Sequence, residues 1–342
     1  MPAASANHSI LIVGFGSAGE RAREVIGQQR PETEFAILSR RQVTSRGFKT
    51  YKSLSDLQGF RPDAVVLSGP ATKRVEILRE LVPVEVPVFA EKPMASNLRE
   101  ALLFQDLLGP SEPFTQIGYN LRFSKSLNFF RELVHSRRFG RAIRFTAETG
   151  QYLPDWRPEQ DYRETVSARA ELGGGVLLEL SHEFDYLRWI FGEWDWVSAW
   201  IGKCSKLEID VEDTALMSIG ITSTHGEPSL VGQVTLDFVR RDKTRTILAV
   251  CEDASVRWDG SKGTVDVRDT SRSGWVSLFK DAGSGSTYDE QWRSFLSVIE
   301  DQSVPVVGVQ DGIQVMRIIE AIRISYSEGG ARVSISEQVA TS

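Results

Sequence analysis

"SILIVGFGSAGERA", Ser9 to Ala22, sets a short apolar run directly before three glycines and the start of a helical pattern. In the order G-x-G-x-x-G the first glycine, Gly14, allows a tight turn. The second, Gly16, lets backbone approach a pyrophosphate, and the third, Gly19, lets helix and strand pack closely. The helix N-terminus itself attracts phosphates. Gly14, Phe15, Gly16, Ser17, Ala18 and Gly19 are therefore the expected phosphate-binding turn. A glycine-rich turn with only a structural role is the competing reading, and the pattern alone does not separate the two. Its position after a first strand, in an alternating segment, does.

That alternation continues outward. "FAILS" (35–39), "AVVLS" (64–68), "PVFAE" (87–91) and "FTQIGY" (114–119) are further short apolar runs. Amphipathic stretches such as 71–82 and 97–108 lie between them. Strand–helix alternation predicts a parallel sheet covered on both faces, so residues 1–122 read as an α/β Rossmann domain. Beyond residue 123 the character changes. A helix over 125–137 leads to a strand near 142–151, then a polar, aromatic loop, then a helix over 176–191. From 196 to about 278 the pattern is of alternating strands with turn signals between them. Helices over 288–300 and 310–325 close the chain. Residues 123–342 thus read as an α+β domain with an open, mostly antiparallel sheet, and two domains suit 342 residues.

A net charge of -6 gives no reason to expect nucleic acid or an anionic membrane as partner. Cys204 and Cys251, in segments that read as strands, are expected to be buried free thiols. Neither Cys nor His shows metal-ligand spacing, so no metal is expected. The first apolar run is too short for a membrane span and no charged region precedes it, which makes the expected location cytoplasmic.

Three further places carry chemistry. An NAD site usually has Asp or Glu about 20 residues past the glycines, to hold the ribose. Here the place reads Ser39, Arg40 and Arg41. A hydroxyl and guanidinium groups there can hold a 2′-phosphate, so NADP(H) is favoured over NAD(H). Ordinary solvated arginines are the alternative. In open α/β sheets ligands bind at the carboxyl ends of strands, where Ser68, Gly69, Pro70, Glu91, Lys92 and Asn120 fall. Lys92, followed by Pro93, can reach a substrate hydroxyl or carbonyl. Third, the helix after Gly173-Gly174-Gly175 carries Glu179, His182, Glu183 and Tyr186 on one face. Histidine suits proton transfer near neutral pH, its unperturbed pKa being about 6.5. A histidine packed at a domain interface is the bland alternative.

Gly14-x-Gly16-x-x-Gly19, Glu91-Lys92-Pro93, "GYNLRF" (118–123) and the glycine-led helix with His182 occur in this order and at these separations. Together they resemble the Gfo/Idh/MocA family of nicotinamide-dependent sugar and cyclitol oxidoreductases. The resemblance implies a cleft between the two domains that holds nicotinamide and substrate, with Lys92 and His182 matching the family's catalytic lysine and histidine. The family often has Asp four residues before that histidine. Position 178 is Leu here, and Glu179, three residues before His182 on the same helix face, is the candidate in its place to orient the ring or stabilise its charged form. Where the family has a histidine after the third strand's proline, "SGPATKR" has Lys73 and Arg74, at a position that lines the cofactor cleft. Tyr152, Trp156, Tyr162 and Arg163, with Asn120 and Arg122, suit a sugar-type substrate. Aromatic rings pack on its apolar faces and the polar groups bond its oxygens. For Trp156 a rigid interface loop is an equal alternative. The leading function is hydride transfer between the nicotinamide and a secondary alcohol or ketone of a sugar, cyclitol or activated sugar. An NAD-dependent glycosidase and a catalytically dead cofactor-binding sensor are the alternatives. A homo-oligomer formed through the C-terminal sheet remains open.

Overall fold

The computed structural model describes residues 8–39, 48–57, 59–81, 85–222, 229–271, 273–283 and 286–336. Arg40 and Arg41 lie outside them. Contacts divide the chain into two compact units, Met1–Asn120 with Gly285–Ile313 and Leu121–Ser284 with Gln314–Ser342.

In the first unit, among the described residues, six strands form one sheet: β1 (Ser9–Val13), β2 (Glu34–Leu38), β3 (Lys49–Tyr51), β4 (Ala64–Leu67), β5 (Val88–Ala90) and β6 (Thr115–Ile117). The order is β3-β2-β1-β4-β5-β6, and every pairing is parallel. Parallel sheets need crossovers, and helices α1 (Ser17–Gln29), α2 (Arg74–Leu81) and α3 (Leu98–Leu108) are three of them. Helices on both faces explain the near-continuous apolar strands, such as Ile10, Ile12, Val66 and Phe89 in the core. The helix predicted from 97 starts one residue later. Asn97 instead caps it, accepting a hydrogen bond from the Glu100 amide at 2.9 Å. β3 escaped the sequence reading because Lys-Thr-Tyr at a sheet edge has no apolar run.

Among the described residues, the second unit is built around a nine-stranded sheet. Helix α4 (Lys125–His135) precedes β7 (Ala142–Gly150). Two short helices, α5 (Val176–Glu179) and α6 (His182–Phe191), follow the aromatic loop. Then come β8 (Trp196–Gly202), β9 (Thr214–Ile221), β10 (Leu230–Asp237), β11 (Thr244–Cys251), β12 (Ala254–Asp259), β13 (Thr264–Asp269) and β14 (Val276–Lys280). With β15 (Val333–Ser334) the order is β14-β13-β12-β11-β7-β10-β9-β8-β15. All pairings are antiparallel except β7 with β10, which run parallel and make the sheet mixed. One face is buried beneath the helices; Trp258 of β12, for example, donates to Ser126 of α4 at 3.0 Å. The other face exposes Trp200, Leu216 and Val231.

Two expectations change here. The single helix over 176–191 is broken: Leu180 (φ -98°, ψ 26°) ends α5, and Ser181 precedes α6. His182 therefore opens a helix instead of standing two turns along one. Cys204 is exposed, unlike the buried Cys251. Its amide donates to the Asp213 carboxylate at 2.8 Å, in a turn beyond the end of β8.

Helices α7 (Thr287–Asp301) and α8 (Val309–Ser327) complete the chain. α7 belongs with the first sheet, although residues 123–342 read as one domain from the sequence. Its Trp292, Phe295 and Leu296 enter the core with Ile10, Val66 and Phe89, and the Phe89 and Trp292 rings lie 4.2 Å apart. Helical periodicity reveals an apolar face but not the sheet that covers it.

Candidate functional site

In the first unit the site begins at the turn after β1. Gly14 has φ +90°, and a Cβ there would lie 2.6 Å from the Gly69 nitrogen, so only glycine fits. A Cβ on Gly19 would lie 2.4 Å from the Gly14 carbonyl oxygen, which is the close helix–strand packing the motif requires. Gly16 is the N-cap of α1, makes no side-chain cap, and has open space where a Cβ would go. A helix start without a side-chain cap, with open space beside Gly16, fits a dinucleotide pyrophosphate. Ser68 donates to the Gly14 carbonyl at 2.7 Å, which ties the ends of the adjacent strands β1 and β4 together. At the end of β2, the Ser39 amide donates to the Tyr51 carbonyl at 3.0 Å.

Lys92 follows β5, the next strand in the sheet, and is half-buried. Gly14, Ser68–Pro70 and Lys92 thus stand at the carboxyl ends of neighbouring parallel strands, where such sheets bind ligands. Asn120, beyond β6, is buried and donates to the Thr287 hydroxyl at 2.6 Å. Arg74 was missed as a structural residue. Instead of lining a cleft it is buried, and its Nη2 donates to the Gly69 carbonyl at 3.1 Å. Its Nη1 donates to the carbonyls of Glu91 and Pro93. Burial lowers its pKa to about 10. Lys73 beside it is exposed and pairs with Glu76 at 3.1 Å.

In the second unit His182 is half-buried at the start of α6. The next residue, Glu183, is fully buried and accepts from Arg245 Nε at 2.8 Å and from the Tyr186 hydroxyl at 3.3 Å. Burial, with the Glu183 charge beside it, holds the Tyr186 hydroxyl protonated well above its ordinary range. Arg245 lies opposite Thr149 near the end of β7. That anchors the start of α6, and so His182, at the carboxyl end of β7. Glu179 ends α5 and accepts from Ser167 Oγ at 2.9 Å, which fastens the helix pair to the aromatic loop. Gly175 has φ +103°, and a Cβ there would meet the Glu212 carboxylate at 2.4 Å. Glu212 in turn accepts from the Leu177 amide at 3.2 Å, and burial raises its pKa.

The aromatic loop reaches the same sheet end. The Leu153 amide donates to the Phe238 carbonyl at 2.9 Å, just past the end of β10. Trp156 packs edge-on against Phe238, and its indole N–H donates to the Gln151 carbonyl at 3.1 Å. The Tyr152 ring lies under the Arg241 guanidinium, 3.4 Å from carbon to centroid. Tyr152, Trp156 and His182 are therefore collected at one end of the second sheet. The other expected substrate residues are spoken for differently. Arg122 is buried and forks onto Asp185 at 2.9 and 2.7 Å, while Arg163 is exposed and paired with Asp161 and Glu208. The Tyr162 hydroxyl accepts from the Glu208 amide at 3.2 Å. Arg245, Glu212 and Arg241 were missed, and Glu183 was read on the His182 face without its buried role, because a charge in a sequence does not say what will cover it. Among the described residues no group of three or more His, Cys, Asp or Glu could hold a metal ion. No helix among them is long and apolar enough to cross a membrane.

Residues 8–111 match the oxidoreductase family with an NAD-binding Rossmann fold, and residues 128–266 match the GFO/IDH/MocA C-terminal domain. The two segments together take in well over half of the chain, and the chain belongs to the Gfo/Idh/MocA family. It is 26% identical over 157 residues to the rhizopine catabolism protein MocA of Rhizobium meliloti, a match covering 45% of this chain and 46% of that protein. The chain thus spans about half the length of that relative. It is 24% identical over 294 residues to inositol 2-dehydrogenase 2 of Paenarthrobacter aurescens, with 80% of each covered. In fold it is similar to the WlbA dehydrogenase from Bordetella pertussis, whose structure holds NADH and UDP-GlcNAcA. There the TM-score is 0.79, the identity 19%, and the coverage 97% of this chain and 99% of that one.

Proposed function

We propose that this chain is an NAD(P)-dependent dehydrogenase acting on a CH–OH group of a sugar, cyclitol or activated sugar. The observation that carries the reading is the gathering of the glycine turn, Ser68–Pro70 and Lys92 at the carboxyl ends of adjacent parallel strands. When bound, the nicotinamide supplies the hydride acceptor or donor. The backbone of Gly14–Gly19 holds the pyrophosphate. Lys92 polarises the reacting oxygen, and His182 takes or returns its proton. Glu179, fastened to Ser167, positions the start of α6 (E179 ends α5). Tyr152, with Arg241 across its ring, offers an aromatic face and a cation to a sugar.

Ser39, Arg40 and Arg41 favour NADP(H). Calorimetry should show tighter binding of NADP(H) than NAD(H), and Arg40→Asp should level or reverse it. Equal affinities in the unaltered protein contradict that choice. The function itself is tested by a panel of polyols, sugars, sugar acids and nucleotide sugars, followed at the reduced-nicotinamide absorbance. Turnover with at least one class is expected, and none with any class contradicts the reading. The outer face of the second sheet, with Trp200, Leu216 and Val231 exposed, suits pairing with a second copy of the chain. Light scattering should then report a dimer or larger that Trp200→Glu weakens; a monomer at micromolar concentration argues against it.

A further inference from the structure

Arg74 is in a costly place. It is 3% exposed, and its Nε is buried without a hydrogen-bond partner. It is also the first residue of α2, where the helix dipole disfavours a cation. Burying a charge without a carboxylate hydrogen-bonded to it is expensive, and burial accordingly lowers its pKa. What the guanidinium gains is three backbone carbonyls from two loops. Gly69 belongs to the loop after β4, while Glu91 and Pro93 flank Lys92 in the loop after β5. One nitrogen, Nη1, serves both carbonyls on either side of Lys92. Only a planar fork with several fixed donors can do this; an ammonium is a single point.

We propose that Arg74 is a positioning residue. It fixes the backbone on both sides of Lys92 and ties that loop to the Gly69 loop, so that the lysine amine is presented in one geometry at the edge of the sheet. The inference rests on the reading of Lys92 as the group that polarises the reacting oxygen. A misplacement of about 1 Å at such a group costs about 10²-fold in rate.

The test compares Arg74→Met, Arg74→Lys, Lys92→Ala and the Arg74→Met/Lys92→Ala double variant in the full chain. Arg74→Met should lower kcat by about 10²-fold with the cofactor Kd changed far less, and Arg74→Lys should recover only part of it. The double variant should lose little more than Lys92→Ala alone, because both changes act through the same amine. Amide hydrogen exchange, read by mass spectrometry without cofactor, should quicken at residues 91–94 and stay slow over β5. The inference is overturned if folded Arg74→Met keeps normal kcat while Lys92→Ala loses it. It is overturned equally if exchange at 91–94 is unchanged, or if Arg74→Lys restores full activity. Normal kcat in Lys92→Ala would instead overturn the reading of Lys92, while the exchange result would still report on what Arg74 holds.

Discussion

Arg74 and Arg122 carry their charge where little solvent reaches, yet their partners differ. Arg122 meets the buried carboxylate of Asp185 in a two-pronged bond, with side chains 6% and 1% exposed. Arg74 gives its hydrogen bonds to backbone carbonyls, with the Glu91 charge near it. Both read from the sequence as residues that face a ligand, because residue type records the charge and not the cover over it. Glu212 went unread for the same reason. Its carboxylate caps the start of α5 through Leu177, against the bare backbone of Gly175, and burial raises its pKa. A carboxylate with a raised folded pKa binds its proton more tightly folded than unfolded. Its contribution to stability is therefore full below the ordinary carboxylate pKa and is lost as pH rises through the folded pKa. Glu212→Gln keeps an acceptor for Leu177 but cannot ionise, so melting temperature should fall less steeply with rising pH across that window. Parallel pH profiles for the variant and the unaltered protein would contradict this account.

At the scale of elements, the strand–glycine–helix unit was legible almost to the residue: β1 is Ser9–Val13 as read, and α1 starts at Ser17. Local chemistry decides both ends of that unit. The helix over 176–191 was legible as helix but not as two helices. Leu177, Leu180, Phe184, Leu187 and Phe191 keep their spacing through the break, since Leu180 leaves the helical region while Ser181 stays in it. The break makes His182 the first residue of α6, and its placement depends on what holds α5. Gly175 is the hinge of that support, with φ +103° and no room for a Cβ. Gly175→Ala should cost about 1–3 kcal/mol of stability, the range for a strained non-glycine backbone. It should also lower kcat beyond the loss of folded protein. Denaturant titration and kinetics on the same sample check both, and an unchanged midpoint would contradict the packing described for this turn.

For the whole molecule, the sequence revealed two layers of organisation and their order, but not that residues 285–313 complete the first unit. Trp292 and Phe295 sit in a helix with an ordinary amphipathic pattern, and only the folded chain pairs them with Phe89. The candidate site was legible where chemistry has a spacing, as in the glycine turn and Glu91-Lys92-Pro93. It was not legible where side chains far apart in sequence meet, as Arg245 meets Glu183. The central claim is that Lys92, His182 and a bound nicotinamide act together on one CH–OH group. It is tested most directly with a substrate from the panel carrying deuterium at its carbinol carbon, incubated with oxidised cofactor. The account predicts deuterium in the reduced nicotinamide, found by mass spectrometry, and a kcat for His182→Ala lower by about 10²–10⁴-fold with cofactor affinity kept. Reduced nicotinamide without deuterium, or His182→Ala turning over at the unaltered rate, would contradict it.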